Sequence, residues 1–212
     1  MAAYPRRFGL STAREAILAR IRAATAAIAA PAPIPRNYLT AHHDHDIVAL
    51  FAERAADYRA VVARVGDPDV QQAIADAIVE RPGRFIAPAG FPAHWLPDAL
   101  DVAADDPPLS AVELDRLSGV ITGCTVAVAE TGTVILSHGP GEGRRALTLV
   151  PDFHLVVVRA DQVAADLSGA LARLDPARPH TMISGPSATS DIELIRVEGV
   201  HGPRTLHIVI AG

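Results

Sequence analysis

Apolar positions first recur at helical spacing and then, from residue 84, in short runs broken by Gly and Pro. Residues 11–29 predict an amphipathic helix. Thr12-Ala13-Arg14-Glu15 matches a capping box, and Ile17, Leu18, Ile21 and Ile28 share a face. Pro31-Ala32-Pro33-Ile34-Pro35 breaks that pattern and marks a hinge after an N-terminal arm. A second helix is predicted from Asp46 to Val65, where Ile47, Leu50, Phe51, Tyr58, Val61, Val62 and Val65 keep helical spacing. Asp67-Pro68 reads as cap and first turn of a third helix reaching Glu80.

Beyond Arg84 the runs shorten to strand length. Phe85 to Ala87, Ala99 to Ala103, Leu155 to Val158, Thr181 to Ile183 and Leu206 to Ile210 predict strands, and Val126 to Glu130 with Thr133 to Leu136 predicts a hairpin around Thr131-Gly132. Ser110 to Glu113 caps a short helix, and a longer one is predicted over Asp161 to Leu174. The unbroken apolar run at 155–158 fits a strand buried on both faces. Together these predict an α/β fold: a twisted, mostly parallel sheet with flanking helices. An N-terminal helical arm and linker (1–40) precede the α/β domain (41–212).

Composition narrows the chemistry. All 19 basic side chains are Arg, so Schiff-base catalysis, a Lys-held pyridoxal phosphate and a P-loop lysine are closed to this chain. One cysteine, Cys124, cannot supply a four-thiolate cluster or an intrachain disulfide, which fits a reducing, cytoplasmic setting. Net charge of −5 argues against nucleic acid as a partner. No apolar run approaches the roughly 20 residues of a membrane span, and Arg6-Arg7 lacks the apolar stretch of a signal peptide.

Four polar loops are candidates for a site. At Glu130-Thr131-Gly132-Thr133 a carboxylate sits at a strand end, where it is a candidate base or nucleophile, or an acceptor within the turn. In the Gly-rich run Ser137 to Arg145, Gly141, Arg144 and Arg145 are candidates to hold a small carboxylate or phosphate group, with a short helix from Arg144 to Leu149. The run Ser184-Gly185-Pro186-Ser187-Ala188-Thr189-Ser190-Asp191-Ile192-Glu193 gathers hydroxyls and carboxylates. It reads as the start of a helix at the carboxyl end of a strand, where open sheets bind ligands. His201, Gly202 and Arg204 form a turn before the last strand. His42, His43 and His45 resemble metal ligands, yet Asp46 beside them is an ordinary helix cap. No metal is expected, and Cys124 reads as a small buried side chain.

The run Ile121 to Thr133, with Gly185 to Glu193 and Gly199 to Arg204, resembles the LutC/YkgG family of lactate-utilisation (LUD) domain proteins. The resemblance covers roughly residues 45–210 and leaves the arm aside. It implies a fold like the NagB/RpiA/CoA-transferase group. It also implies a role in oxidising L-lactate to pyruvate, with a cysteine-rich CCG-type protein and an iron–sulfur protein resembling LutA and LutB. No cofactor is then expected in this chain, and the clusters belong to the partners. Glu130-Thr131-Gly132 is also loosely similar to the Glu-Asn-Gly element of some CoA-transferases, whose Glu is the nucleophile, with Thr here in place of Asn. A stand-alone acyl- or CoA-transferase and a small-molecule sensor are the alternatives. Isomerases of that fold group use a Lys that this chain lacks.

Overall fold

A computed structural model describes residues 10–27, 33–36, 46–190, 196–199 and 201–212. The chain divides into two units, Met1–Tyr38 and Leu39–Gly212. In the first unit, helix α1 (Leu10–Thr25) ends four residues before the predicted limit. Thr12 lies inside this helix, so it does not cap it. Ile17 and Ile21, one turn apart, are both more than half exposed.

The second unit opens with α2 (Ile47–Asp57). The Asp46 carboxylate accepts from the amides of Val48 and Ala49, each at 3.0 Å, as the cap reading expects. His42, His43 and His45 lie outside the described residues. The predicted helix to Val65 is corrected here. Arg59 takes a left-handed conformation (φ 68°), the helix stops, and Val61–Val65 is strand β1. The spacing of Val61, Val62 and Val65 fits either element, and three β-branched side chains favour the strand.

A 3-10 turn at Asp67–Asp69 leads into α3 (Val70–Ile78), which buries Val70, Ile74 and Ile78 along one stripe. Then follow β2 (Phe85–Ile86), β3 (Val102–Ala103) and α4 (Ala111–Asp115), the last with the predicted capping box between Ser110 and Glu113. β4 (Gly119–Thr122), the hairpin β5 (Val126–Val128) and β6 (Thr133–Leu136), and β7 (Phe153–Arg159) form the centre. The helix predicted over 161–174 shrinks to α5 (Leu167–Leu171). Asp166 caps it, and Val163–Ala164 instead forms β8, a strand alongside β5. β9 (Thr181–Ile183) follows. The helix turn predicted after Ser184 is in fact β10 (Ala188–Ser190), paired antiparallel with β11 (Arg196–Glu198). Hydroxyl and Asp residues favour a helix cap only where a helix exists to receive them; here strand pairing wins. β12 (Thr205–Ala211) ends the chain.

Six strands in the order β1-β12-β7-β4-β2-β3 make one sheet, all parallel. Four more, β8-β5-β6-β9, make a mixed second sheet. The face of β7 and β12 carrying Val156, Val158, Leu206, Ile208 and Ile210 packs on Phe51 and Ala55 of α2 and on Ala127, Val134 and Leu136 of the second sheet. The opposite face, with Phe153, Leu155, Val157 and Val209, packs on α3. Helix α5 covers the outer face of the second sheet through Val126, Val128, Ile135 and Ala170. Each such fully buried Val, Leu, Ile or Phe side chain contributes roughly 1.5–3 kcal/mol by leaving water.

The hairpin tip is locked by close approach. Gly132 has φ +60°, and a Cβ there would lie 2.5 Å from Ala55 N on α2. Gly132→Ala should therefore lower stability by about 2–3 kcal/mol, from left-handed strain plus displaced backbone. Urea denaturation measures this, and a loss below about 0.5 kcal/mol would show that the tip does not rest on α2.

Candidate functional site

A cavity of about 270 Å³ lies between β9, its following loop, and the turns that enter β7 and β12. Thr181, Met182 and Ile183 form one wall; Ser184 to Ala188 and His201 to Pro203 form another. Thr148 and Leu149 close a side, and His154 and Leu206 complete the lining. Both of the latter are second residues of their strands, so the cavity meets the amino ends of the six-stranded sheet. The loop was expected at the carboxyl ends. It does follow a strand, but β9 belongs to the second sheet and runs antiparallel to β6.

Six predicted residues line this cavity: Ser184, Gly185, Pro186, Ser187, His201 and Gly202. Two more reach it through hydroxyls. Thr131 Oγ1 lies 2.7 Å from Thr133 Oγ1, which lies 2.8 Å from Ser184 Oγ. Ser187 stitches the two loops together. Its amide donates to Pro203 O (2.8 Å), its carbonyl accepts from the Gly199 amide (3.0 Å), and its hydroxyl accepts from the His201 amide (3.2 Å). Gly185, at φ +78°, approaches the Tyr58 carbonyl more closely than any Cβ would permit. Thr189 lies in β10, and Asp191 and Glu193 lie outside the described residues.

The remaining predicted residues are placed elsewhere. Arg144 makes a bidentate pair with Asp105 (2.7 and 2.9 Å) and donates to Leu109 O, so its fork is already filled. That hydrogen bond holds the Asp105 carboxyl below the usual range. Arg145 is exposed in a 3-10 turn, Arg145–Thr148, where a short helix was predicted. Arg204 pairs with Asp152 at 2.6 Å. Glu130 is exposed at the hairpin tip, and its carboxylate has no partner among the described residues.

The Gly-rich loop is built around a residue that sequence reasoning missed, Glu142. Its buried carboxylate accepts from Thr125 Oγ1 (2.6 Å), the Ser137 amide (2.6 Å) and the Gly139 amide (3.4 Å). Gly141 joins it to its neighbours, with its amide on Ala89 O and its carbonyl on Gly123 N. A smaller crevice of about 170 Å³ lies beside it at the carboxyl ends of β4 and β7, with Gly141, Cys124 and Gln162 in its wall. Burial and the nearby Glu142 charge push the Cys124 thiol up, keeping it protonated. Gln162 donates to Cys124 O and accepts from the Arg159 amide. Among the described residues no group of three or more His, Cys, Asp or Glu could hold a metal ion. None of the described helices is long and apolar enough to cross a membrane.

The second missed residue is His154. It is 1% exposed, its Nε2 lies 2.8 Å from Thr122 Oγ1, and burial pushes its pKa down to about 3. One sequence signal marks it: a single polar residue inside the apolar run Phe153 to Val158.

The LUD domain model matches residues 112–211, a span that includes every residue lining the larger cavity. A Deinococcus radiodurans protein named Lactate utilization protein C is 47% identical over 186 residues, covering 86% of this chain and 85% of that protein. The chain belongs to the LutC/YkgG family of LUD-domain proteins. YkgG of Escherichia coli is 33% identical over 117 residues, half of each chain. A crystal structure of a DUF162 family protein from Deinococcus radiodurans superposes with a TM-score of 0.69 at 40% identity, covering 85% of this chain and all of that one. This LUD domain therefore shares its fold with a solved relative along nearly its whole length.

A neutral buried histidine makes stability depend on pH. Unfolded, it takes a proton near pH 6.5; folded, only near 3. Between those values the unfolded chain binds more protons. Stability is therefore full above about 6.5 and falls with acidification, at up to about 1.4 kcal/mol per pH unit. His207, lowered by burial and by Arg81, adds with the same sign. Urea midpoints at pH 7 and pH 5 should differ more in the wild type than in His154→Leu. Equal differences would show that His154 is not held neutral.

Proposed function

We propose that this chain is a lactate-utilisation subunit that supports oxidation of L-lactate to pyruvate in the cytoplasm, beside LutA-like and LutB-like iron–sulfur proteins. The observation that carries this reading is the 47% identity, along most of both chains, to a protein named Lactate utilization protein C. Oxidising the alcohol removes two electrons, which need an acceptor. With one buried, protonated cysteine, the residues of this chain do not fit an iron–sulfur cluster. The clusters accordingly belong to the partners, and this chain contributes binding and assembly.

The 270 Å³ cavity suits a small carboxylate in size and lining. Its hydroxyls, from Thr148, Thr181, Ser184 and Ser187, and His201 at its wall supply hydrogen bonds. Arg144 and Arg204 are paired with Asp105 and Asp152, so the acid is met by neutral donors. Acyl transfer through Glu130 finds less support, because no described group hydrogen-bonds or activates that carboxylate.

Lactate-dependent dye reduction tests the reading. The purified chain alone should give none, and adding the iron–sulfur proteins that co-purify with it from lactate-grown cells should restore it. Dye reduction by the chain alone, or no iron–sulfur partner in that purification, would overturn the assignment.

A further inference from the structure

His154 is out of place in its layer. On β7 and β12 its neighbours on the same face of the sheet are Val156, Val158, Leu206 and Ile208, all apolar and buried, and on β4 that face carries Thr122. A leucine or phenylalanine would serve packing there, and a buried imidazole must hydrogen-bond to offset its desolvation. Nε2 does so with Thr122 Oγ1. Nδ1 has no partner among the described residues, and the ring borders the 270 Å³ cavity. A fully buried polar atom with no partner among the described residues, at the wall of a cavity lined by hydroxyls, is an incomplete hydrogen bond.

We infer that His154 is the polar anchor of this cavity: its Nδ1 hydrogen-bonds the uncharged 2-oxygen of a small 2-hydroxy or 2-oxo acid, whose carboxylate is met by the hydroxyls of Ser184 and Ser187. The choice of acid rests on the lactate-utilisation reading; the anchor rests on the geometry.

Thr122 makes the anchor two-sided. Its hydroxyl has no other partner among the described residues, so it either donates to Nε2 or accepts from it. When Thr122 donates, the ring proton sits on Nδ1 and is offered to a ketone oxygen. When Thr122 accepts, the proton sits on Nε2, and the Nδ1 lone pair accepts from an alcohol. Rotation of one hydroxyl and a tautomer change thus let one histidine hold both the reduced and the oxidised acid. No covalent or electron-transfer step falls to His154.

Titration calorimetry of the full chain with L-lactate, pyruvate and propionate tests this, together with side-chain 15N spectra of His154. L-Lactate and pyruvate should both bind, and propionate, lacking the 2-oxygen, at least tenfold more weakly. Pyruvate should move Nδ1 toward the protonated position and L-lactate toward the acceptor position. His154→Phe should lose at least tenfold for L-lactate and pyruvate and leave propionate unchanged, with near-ultraviolet circular dichroism reporting the fold. If that variant does not fold, the wild-type spectra with the three acids decide. Equal affinity for propionate, an unmoved Nδ1, or a folded His154→Phe that binds as wild type would overturn the anchor. If none of the acids binds while the chain still supports dye reduction with its partners, the anchor fails and the function stands. If binding and the Nδ1 response appear without that support, the anchor stands and the function fails.

Discussion

Strands β7 and β12 run side by side for seven residues, and both are covered on two faces. That constraint organises the molecule. A strand buried on both sides cannot alternate apolar with polar, so each residue from Phe153 to Val158 must fit a dry environment. α3 covers one face, and α2 with the second sheet covers the other. Thr122 and His154 are the polar pair inside the second of these layers, and they satisfy each other through one nitrogen. What the layer leaves open, at the amino ends of the two strands, is the cavity.

The loops around that cavity are held by backbone contact as well as by charge. Gly132 and Gly185 both press on the C-terminal part of α2, at Ala55 and Tyr58. Their spacing in the sequence is therefore explained by packing before any ligand is invoked. Charges serve the same end. Arg144 fastens the loop at Asp105, Arg204 fastens the last turn at Asp152, and Glu142 gathers the amides of the Gly-rich turn. Arg144 and Arg204, which look like anion binders in a linear reading, are spent on the scaffold, and hydroxyls remain at the site.

This separates what was legible in the sequence from what was not. The buried strand at 155–158 and the hairpin at 126–136 were readable because local pattern and tertiary role agree there, whereas the cap read at Asp67 falls on Gly66 and no side chain caps that turn. β1, β8 and β10 were not readable. Val61, Val62 and Val65 satisfy helical and strand spacing alike, and Val163–Ala164 is too short to show a period. Ala188–Ser190 carries cap chemistry that strand pairing overrides. The loops at 184–187 and 201–202 were legible as two separate polar candidates, whereas their meeting at one cavity and their position relative to the sheet were not. β9 lies in a second sheet whose existence no local signal announces. Glu142 escaped because it is recognised by burial, which no single position in a sequence displays, and the one signal for His154, a polar residue inside an apolar run, does not say what its ring meets.

The absence of lysine and the single cysteine acquire a structural meaning from this arrangement. Six polar side chains line the cavity, Thr148, Thr181, Ser184, Ser187, His201 and the neutral His154, and none is a carboxylate or an arginine. Such a site discriminates ligands by where they carry oxygen and hydrogen rather than by net charge, since hydrogen bonds in a confined space are directional and an unmet one is costly. Its lining holds no thiol: Cys124 is buried beside the other crevice and held protonated. On the proposed function, such a lining suits a small acid in both its alcohol and its ketone form, with the electrons passing to partner proteins.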